Sequence, residues 1–189
     1  MSADNLEQAF ASTGRVLANV KADQLDDPTP CASWKVRDLV NHLVGGATFF
    51  AVLAETGQSP ADEGAPPDFS TTDFRATYQQ GAQRAVAAFR AEGAMEKQLT
   101  LPFGQLPGAV FVNIAATDVF THGWDLAKAT NQSCDLEPAL AVRLLSAVQP
   151  LLPDAMRGED TKAPFGPRVD VPGSAPAADQ LAGFLGRTP

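Results

Sequence analysis

The sequence predicts an all-α protein: a four-helix bundle, extending to five or six helices, that ends in a short extended tail. Three observations carry this expectation. Apolar residues recur at helical spacing in five segments, proline-containing breaks separate those segments, and the C-terminal stretch turns to a proline-rich, alternating pattern.

Residues 3–21 carry Leu6, Phe10, Val16, Leu17 and Val20 at helical spacing. The run Asp26-Asp27-Pro28-Thr29-Pro30 breaks the chain, because two prolines within three residues forbid a regular element. Ser33 is placed to cap a second helix, from about Trp34 to Glu55, with Val36, Leu39, Val40, Leu43 and Val44 on its buried stripe. Gly57 is its stop signal. Residues 57–70 form an acidic Gly/Pro-rich loop, long enough to border a site. A third helix fits 71–92, with Phe74, Tyr78, Val86 and Phe89. Residues Gln98 to Gly104 look extended and turn-like, and Pro107-Gly108 leads into a fourth helix reaching about Thr130. A fifth helix covers roughly 137–152 and stops at Pro153. The prolines between Ala163 and Pro172 exclude a helix, while Val169 and Val171 alternate as in a short strand. A last helix, 176–186, presents Leu181, Phe184 and Leu185. The whole reads as one domain, 1–189, with about 163–189 packed across the bundle.

The chain has 189 residues, 44% of them hydrophobic, enough to bury a real core. Its net charge of −8 argues against a nucleic-acid footprint, which needs a basic stripe, and against docking to anionic lipid. The N-terminus carries acids and lacks a secretory core, and the apolar stretches are short and interrupted, so no membrane span is expected. Two cysteines, Cys31 and Cys134, make no disulfide framework; free thiols in a cytoplasmic protein are the simpler reading.

Chemistry concentrates around the two histidines. Each lies in a helix-patterned segment four residues after an aspartate: Asp38 and His42 in one, Asp118 and His122 in the other, with Asp125 three further on. Residues four apart stack on one helix face, so Asp118, His122 and Asp125 project together and His42 can face them from another helix. Two imidazoles and a carboxylate hold a divalent metal with a position left open. Asp38 or Asp125 would then orient a ligand imidazole. The alternative is that the His–Asp pairs are buried hydrogen bonds and no metal binds.

No His-Glu-x-x-His, phosphate loop or Gly-x-Ser-x-Gly elbow occurs. Cys31, just before the second helix, reads as a small half-buried residue rather than an activated thiolate. Trp34 and Trp124 read as core or pocket wall, and Phe165 as a tail anchor or pocket rim.

Taken together, Pro28-Thr29-Pro30-Cys31, Trp34, Val36-Arg37-Asp38-Leu39, Asn41-His42-Leu43, Leu101-Pro102-Phe103-Gly104, Pro107-Gly108, Asp118, His122-Gly123-Trp124-Asp125-Leu126-Ala127, Phe165-Gly166-Pro167 and Phe184-Leu185-Gly186-Arg187 resemble a known family. The chain is similar to the DinB-like, mycothiol-dependent maleylpyruvate isomerase superfamily, and more narrowly to its actinobacterial metal-binding branch. The resemblance implies a DinB-like bundle with a divalent ion, zinc first and nickel, iron or manganese as alternatives, on His42, Asp118 and His122. It also implies a mycothiol-type low-molecular-weight thiol and a small electrophile as partners, with thiol S-transfer or isomerisation as the reaction. The loop 57–70 and the Phe165 tail would gate access. A hydrolase, or a non-catalytic metal-stabilised or small-molecule-binding module, is the alternative; a homodimer is compatible with either. Two departures stand out. The isomerases carry Glu where this chain has Asp118, and no arginine is visibly placed to bind a dicarboxylate.

Overall fold

The computed structural model describes residues 3–60, 67–158, 163 and 165–189. Six α-helices occur among them: α1 (Ala3–Ala18), α2 (Val36–Thr56), α3 (Phe74–Arg90), α4 (Gly108–Ala129), α5 (Pro138–Val148) and α6 (Ala177–Phe184). A hairpin of β1 (Gln98–Leu101) and β2 (Gly104–Pro107) joins α3 to α4, pairing antiparallel with Leu101 opposite Gly104. The sequence pattern marks only the first strand and turn of that hairpin.

The first four helices close a ring in the order α1, α3, α2, α4. The consecutive pairs α1/α2 and α3/α4 therefore stand on diagonals, and α2 and α4 are neighbours. Phe10, Leu17, Leu39, Leu43, Leu53, Phe89, Phe111, Phe120 and Trp124 fill the centre. By length and mean hydropathy, 1.3, α2 resembles a membrane span, but half of that window is buried inside the bundle. Helices α5 and α6 pack on each other and on α4.

Local chemistry sets the boundaries. Helix α2 begins at Val36 rather than Trp34, and its cap is not Ser33: Asp38 accepts the Lys35 backbone N–H at 2.8 Å. Gly57 ends the helix in the left-handed region, as its position predicts. The cap of α3 is Asp73, whose carboxylate accepts from Ala76 N. In α4, Gly123 lets α1 approach closely: a Cβ there would lie 2.2 Å from Thr13 Oγ1, the hydroxyl that donates to Val119 O.

The tail differs from expectation. Val169 and Val171 form no strand; Val169 N instead donates to Gly183 O, and Val171 packs where a Gly183 side chain would otherwise stand. The alternation reflects one face turned onto α6 rather than pairing with another strand. Residues 61–66 of the acidic loop lie outside the described residues.

Candidate metal centre

Because α2 and α4 are adjacent, His42 meets Asp118 and His122 across their contact. His42 Nε2 lies 3.2 Å and 3.4 Å from the two Asp118 oxygens, and His122 Nε2 lies 3.6 Å from Asp118 Oδ1. One ligand atom from each of the three lies within 4.8 Å of the others. Donors held tetrahedrally by one zinc-sized ion sit about 3.3–3.6 Å apart, so the two measured spacings suit a shared ion without rearrangement of the helices. All three side chains are half-buried, which leaves one side open. The shorter Asp118 carboxylate thus reaches both imidazoles.

His122 is held from behind. Its Nδ1 lies 3.0 Å from Asp125 Oδ2, and a carboxylate only accepts, so Nδ1 carries the proton of that bond and Nε2 is the ring nitrogen turned to Asp118. Asp125 is fully buried. It also receives both sides of the Arg187 guanidinium, from Nε at 3.3 Å and Nη2 at 3.1 Å, and the Cys31 thiol at 3.3 Å. Arg187 is the arginine that sequence reading does not place. Gly186 delivers it: at φ +89° the chain reverses after α6, against the Gly166 backbone, and Arg187 N donates to Ala182 O. The closing Phe184-Leu185-Gly186-Arg187 motif is the signal the sequence offers for it.

The electrostatics follow from this packing. Burial disfavours the charged forms of Asp118 and Asp125, yet both carboxyls are held below the ordinary value, Asp118 by His42 and His122, Asp125 by His122 and Arg187. Burial, with the Asp125 charge beside it, pushes the Cys31 thiol up to about 12. Cys31 is therefore a protonated donor at neutral pH, as its half-buried setting predicts, and not an activated nucleophile. Both cysteines are free.

Trp34 stands at the site, its ring centroid 5.0 Å from His42 and 5.4 Å from His122. Thr29 sets the turn that brings it there, donating to Trp34 O at 2.8 Å and accepting from Cys31 N at 3.1 Å. Of the other expected residues, Asp38 lines the cavity beside His42, while Trp124 and Phe165 lie elsewhere. Trp124 is core, not rim: it is 1% exposed, and its indole N–H donates to Asp179. Phe165 pairs its backbone with Arg157 and packs against the core as a tail anchor. Asp38 is engaged by the start of its own helix.

A cavity of about 990 Å³ opens in front of His42 and Asp118, bounded by α2, α4, the hairpin tip and Ser59-Pro60. A second concavity, of about 700 Å³ between α1 and α3, has Glu7, Arg15, Arg75 and Arg90 as its charged lining among the described residues.

Comparison with known proteins fits this picture. The family model described as the mycothiol maleylpyruvate isomerase N-terminal domain matches residues 6–127. Two uncharacterized proteins of Mycobacterium tuberculosis, MT0763 of strain CDC 1551 / Oshkosh and Rv0738 of strain H37Rv, are each 43% identical over 188 residues, spanning 100% of this chain and 97% of each relative. Crystal structures of a mycothiol-dependent maleylpyruvate isomerase and of a histidine-to-alanine mutant superpose with TM-scores of 0.56 and 0.58. Each is 18% identical, with 76% of this chain and 67% of that chain covered, a likeness of fold.

Proposed function

The chain belongs to the mycothiol maleylpyruvate isomerase N-terminal domain family, and from that premise we propose that it is a metal-dependent enzyme joining a low-molecular-weight thiol of the mycothiol type to a small electrophile, as an S-transferase or isomerase. The observation that carries this reading is the convergence of His42, Asp118 and His122 at an open cavity that His42 and Asp118 line. A closed four-ligand cage would favour a purely structural ion; three protein donors beside a cavity favour chemistry. Zinc suits two nitrogens and one carboxylate oxygen. When bound there, a divalent ion supplies Lewis acidity that lowers the pKa of a thiol at the open position. The cytoplasm, where such thiols stay reduced, is the fitting compartment.

The residues divide the remaining work. Asp125 fixes the His122 tautomer, and Arg187 and Cys31 fix Asp125. Trp34 covers both imidazoles. The thiol sulfur then bonds to an electrophilic carbon held in the cavity. On an unsaturated carbonyl compound the π pair moves to the carbonyl oxygen; protonation leaves a conjugate. If rotation about the single bond and expulsion of the thiolate come first, the product is the geometric isomer.

The test follows thiol and electrophile by NMR, with zinc-supplemented wild type and His122→Ala. A catalysed rate in wild type, reduced at least roughly a hundredfold in the variant, is the expected result. A wild-type rate equal to buffer would leave a non-catalytic binding module.

Metal uptake is expected to depend on pH. Burial resists charging His42, but the Asp118 carboxylate outweighs it and raises the imidazole pKa above its ordinary value. An ion must displace that proton, so affinity weakens as pH falls through the raised pKa, sooner than for an unperturbed histidine. Metal-free stability runs the other way. The His42–Asp118 pair contributes fully below the ordinary imidazole pKa and is lost as pH rises through the raised one. Chelator competition and urea unfolding between about pH 5.5 and 8 read both trends.

A further inference from the structure

Resting on the thiol-transfer reading, we infer that the cavity beside His42 and Asp118 takes an uncharged, aryl-bearing unsaturated carbonyl compound and not a dicarboxylate. Its walls are Phe49 and Phe50 from α2, Phe111 and Ile114 from α4, and Leu101 and Phe103 from the hairpin. Three of the rings, Phe49, Phe50 and Phe111, are in contact in series. Phe49 and Phe50 meet edge to face at 5.9 Å, Phe50 and Phe111 at 5.8 Å, and Trp34 extends the apolar lining over His42 at the inner end.

Charge decides against a dianion. Among the described lining residues the acidic side chains are Asp38 and Asp118, His42 is the one residue that can carry positive charge and it faces Asp118, and no lysine or arginine lines the cavity. The nearby cations are committed elsewhere: Arg37 to Asp26, and Arg187 to Asp125 and Cys31. A compound such as maleylpyruvate brings two carboxylates. One could be neutralised by an ion held at Asp118, but the other would lose its hydration against phenyl rings and face the Asp38 carboxylate. An uncharged enone loses little hydration, and an aryl substituent makes offset or edge contacts with the wall.

The hairpin tip points the same way. Phe103 is 75% exposed, the most exposed of the large hydrophobic residues described, and it stands at the cavity mouth. A ligand ring lying against it withdraws apolar surface from water on both partners.

The test compares binding of benzylideneacetone, an uncharged aryl enone, with binding of maleate, by ligand-detected NMR on the purified protein, in wild type, Phe49→Ala and Phe103→Ala. The enone is expected to bind at least about tenfold tighter than maleate, and each alanine to weaken the enone about three- to tenfold while leaving maleate unchanged. Phe103 is exposed, so its variant keeps the fold even if Phe49→Ala does not. Maleate binding as tightly as the enone, or enone binding unchanged in the folded variants, overturns the inference. Adding mycothiol separates the two claims: an enone that binds through these phenylalanines without forming a thioether upholds the cavity assignment and overturns thiol transfer.

Discussion

Alanine at His42 or at His122 is expected to lower zinc affinity by roughly a hundredfold or more, because each substitution removes one of three donors. The two residues lie on different helices, separated by 80 positions in sequence yet with ring centroids 4.5 Å apart. A shared ion predicts the same loss from both; two independent surface sites predict loss from only one. Asp118→Ala belongs with them, since its oxygens lie between the two imidazoles. Elemental analysis of purified protein and titration against a chromophoric chelator check this. About one ion per wild-type chain, retained in either histidine variant, would refute the shared centre. A wild type that takes up no zinc would reduce the cluster to His–Asp hydrogen bonds.

Asp125→Ala should be the most damaging single change to stability, costing about 3–5 kcal/mol in urea unfolding. The carboxylate is fully buried and serves His122, Arg187 and Cys31 together. Removing it strands a guanidinium whose side chain is only 14% exposed. Asp125→Asn should cost less, about 1–3 kcal/mol, because an amide oxygen still accepts from one partner. The double variant Asp125→Ala/Arg187→Met should recover part of the loss by removing the stranded charge as well. As a reference, Glu55→Ala breaks the solvent-exposed pair with Arg84 and should cost under about 1 kcal/mol. Equal losses from Asp125→Ala and Glu55→Ala would show that the buried network contributes nothing beyond a surface pair.

How far the site could be read from sequence follows from which contacts lie within one helix. Asp118, His122 and Asp125 share a face of α4, so their spacing reveals them. His42 needed only the assumption that two amphipathic helices meet. Cys31 and Arg187 reach Asp125 across 94 and 62 residues, one from a Thr29-bound turn and the other after a left-handed glycine, and no periodicity records such convergence. Trp124, read as core or pocket wall, proves to be core for a related reason. It is two residues from His122, about 200° round the helix, so it faces the opposite side, towards Asp179. At the start of α2 the Asp38 carboxylate, three residues into the helix, takes the Lys35 backbone N–H, a partner the Ser33 reading did not anticipate. Val169 and Val171 show that alternation reports a one-sided surface, whether or not a second strand covers it.

The diagonal placement of consecutive helices also governs how the protein reaches its folded state. Of the sequence-adjacent pairs in the ring, only α2 and α3 touch extensively, so only they can form a local helical hairpin. Helix α1 has no complete partner until α4 arrives, and contacts such as Thr13 with Val119 close a span of 106 residues. Loops of that length are slow to close and bring no reward until they do. Folding should accordingly be a single late, cooperative closure, with the α2–α4 seam that carries both histidines formed in that step.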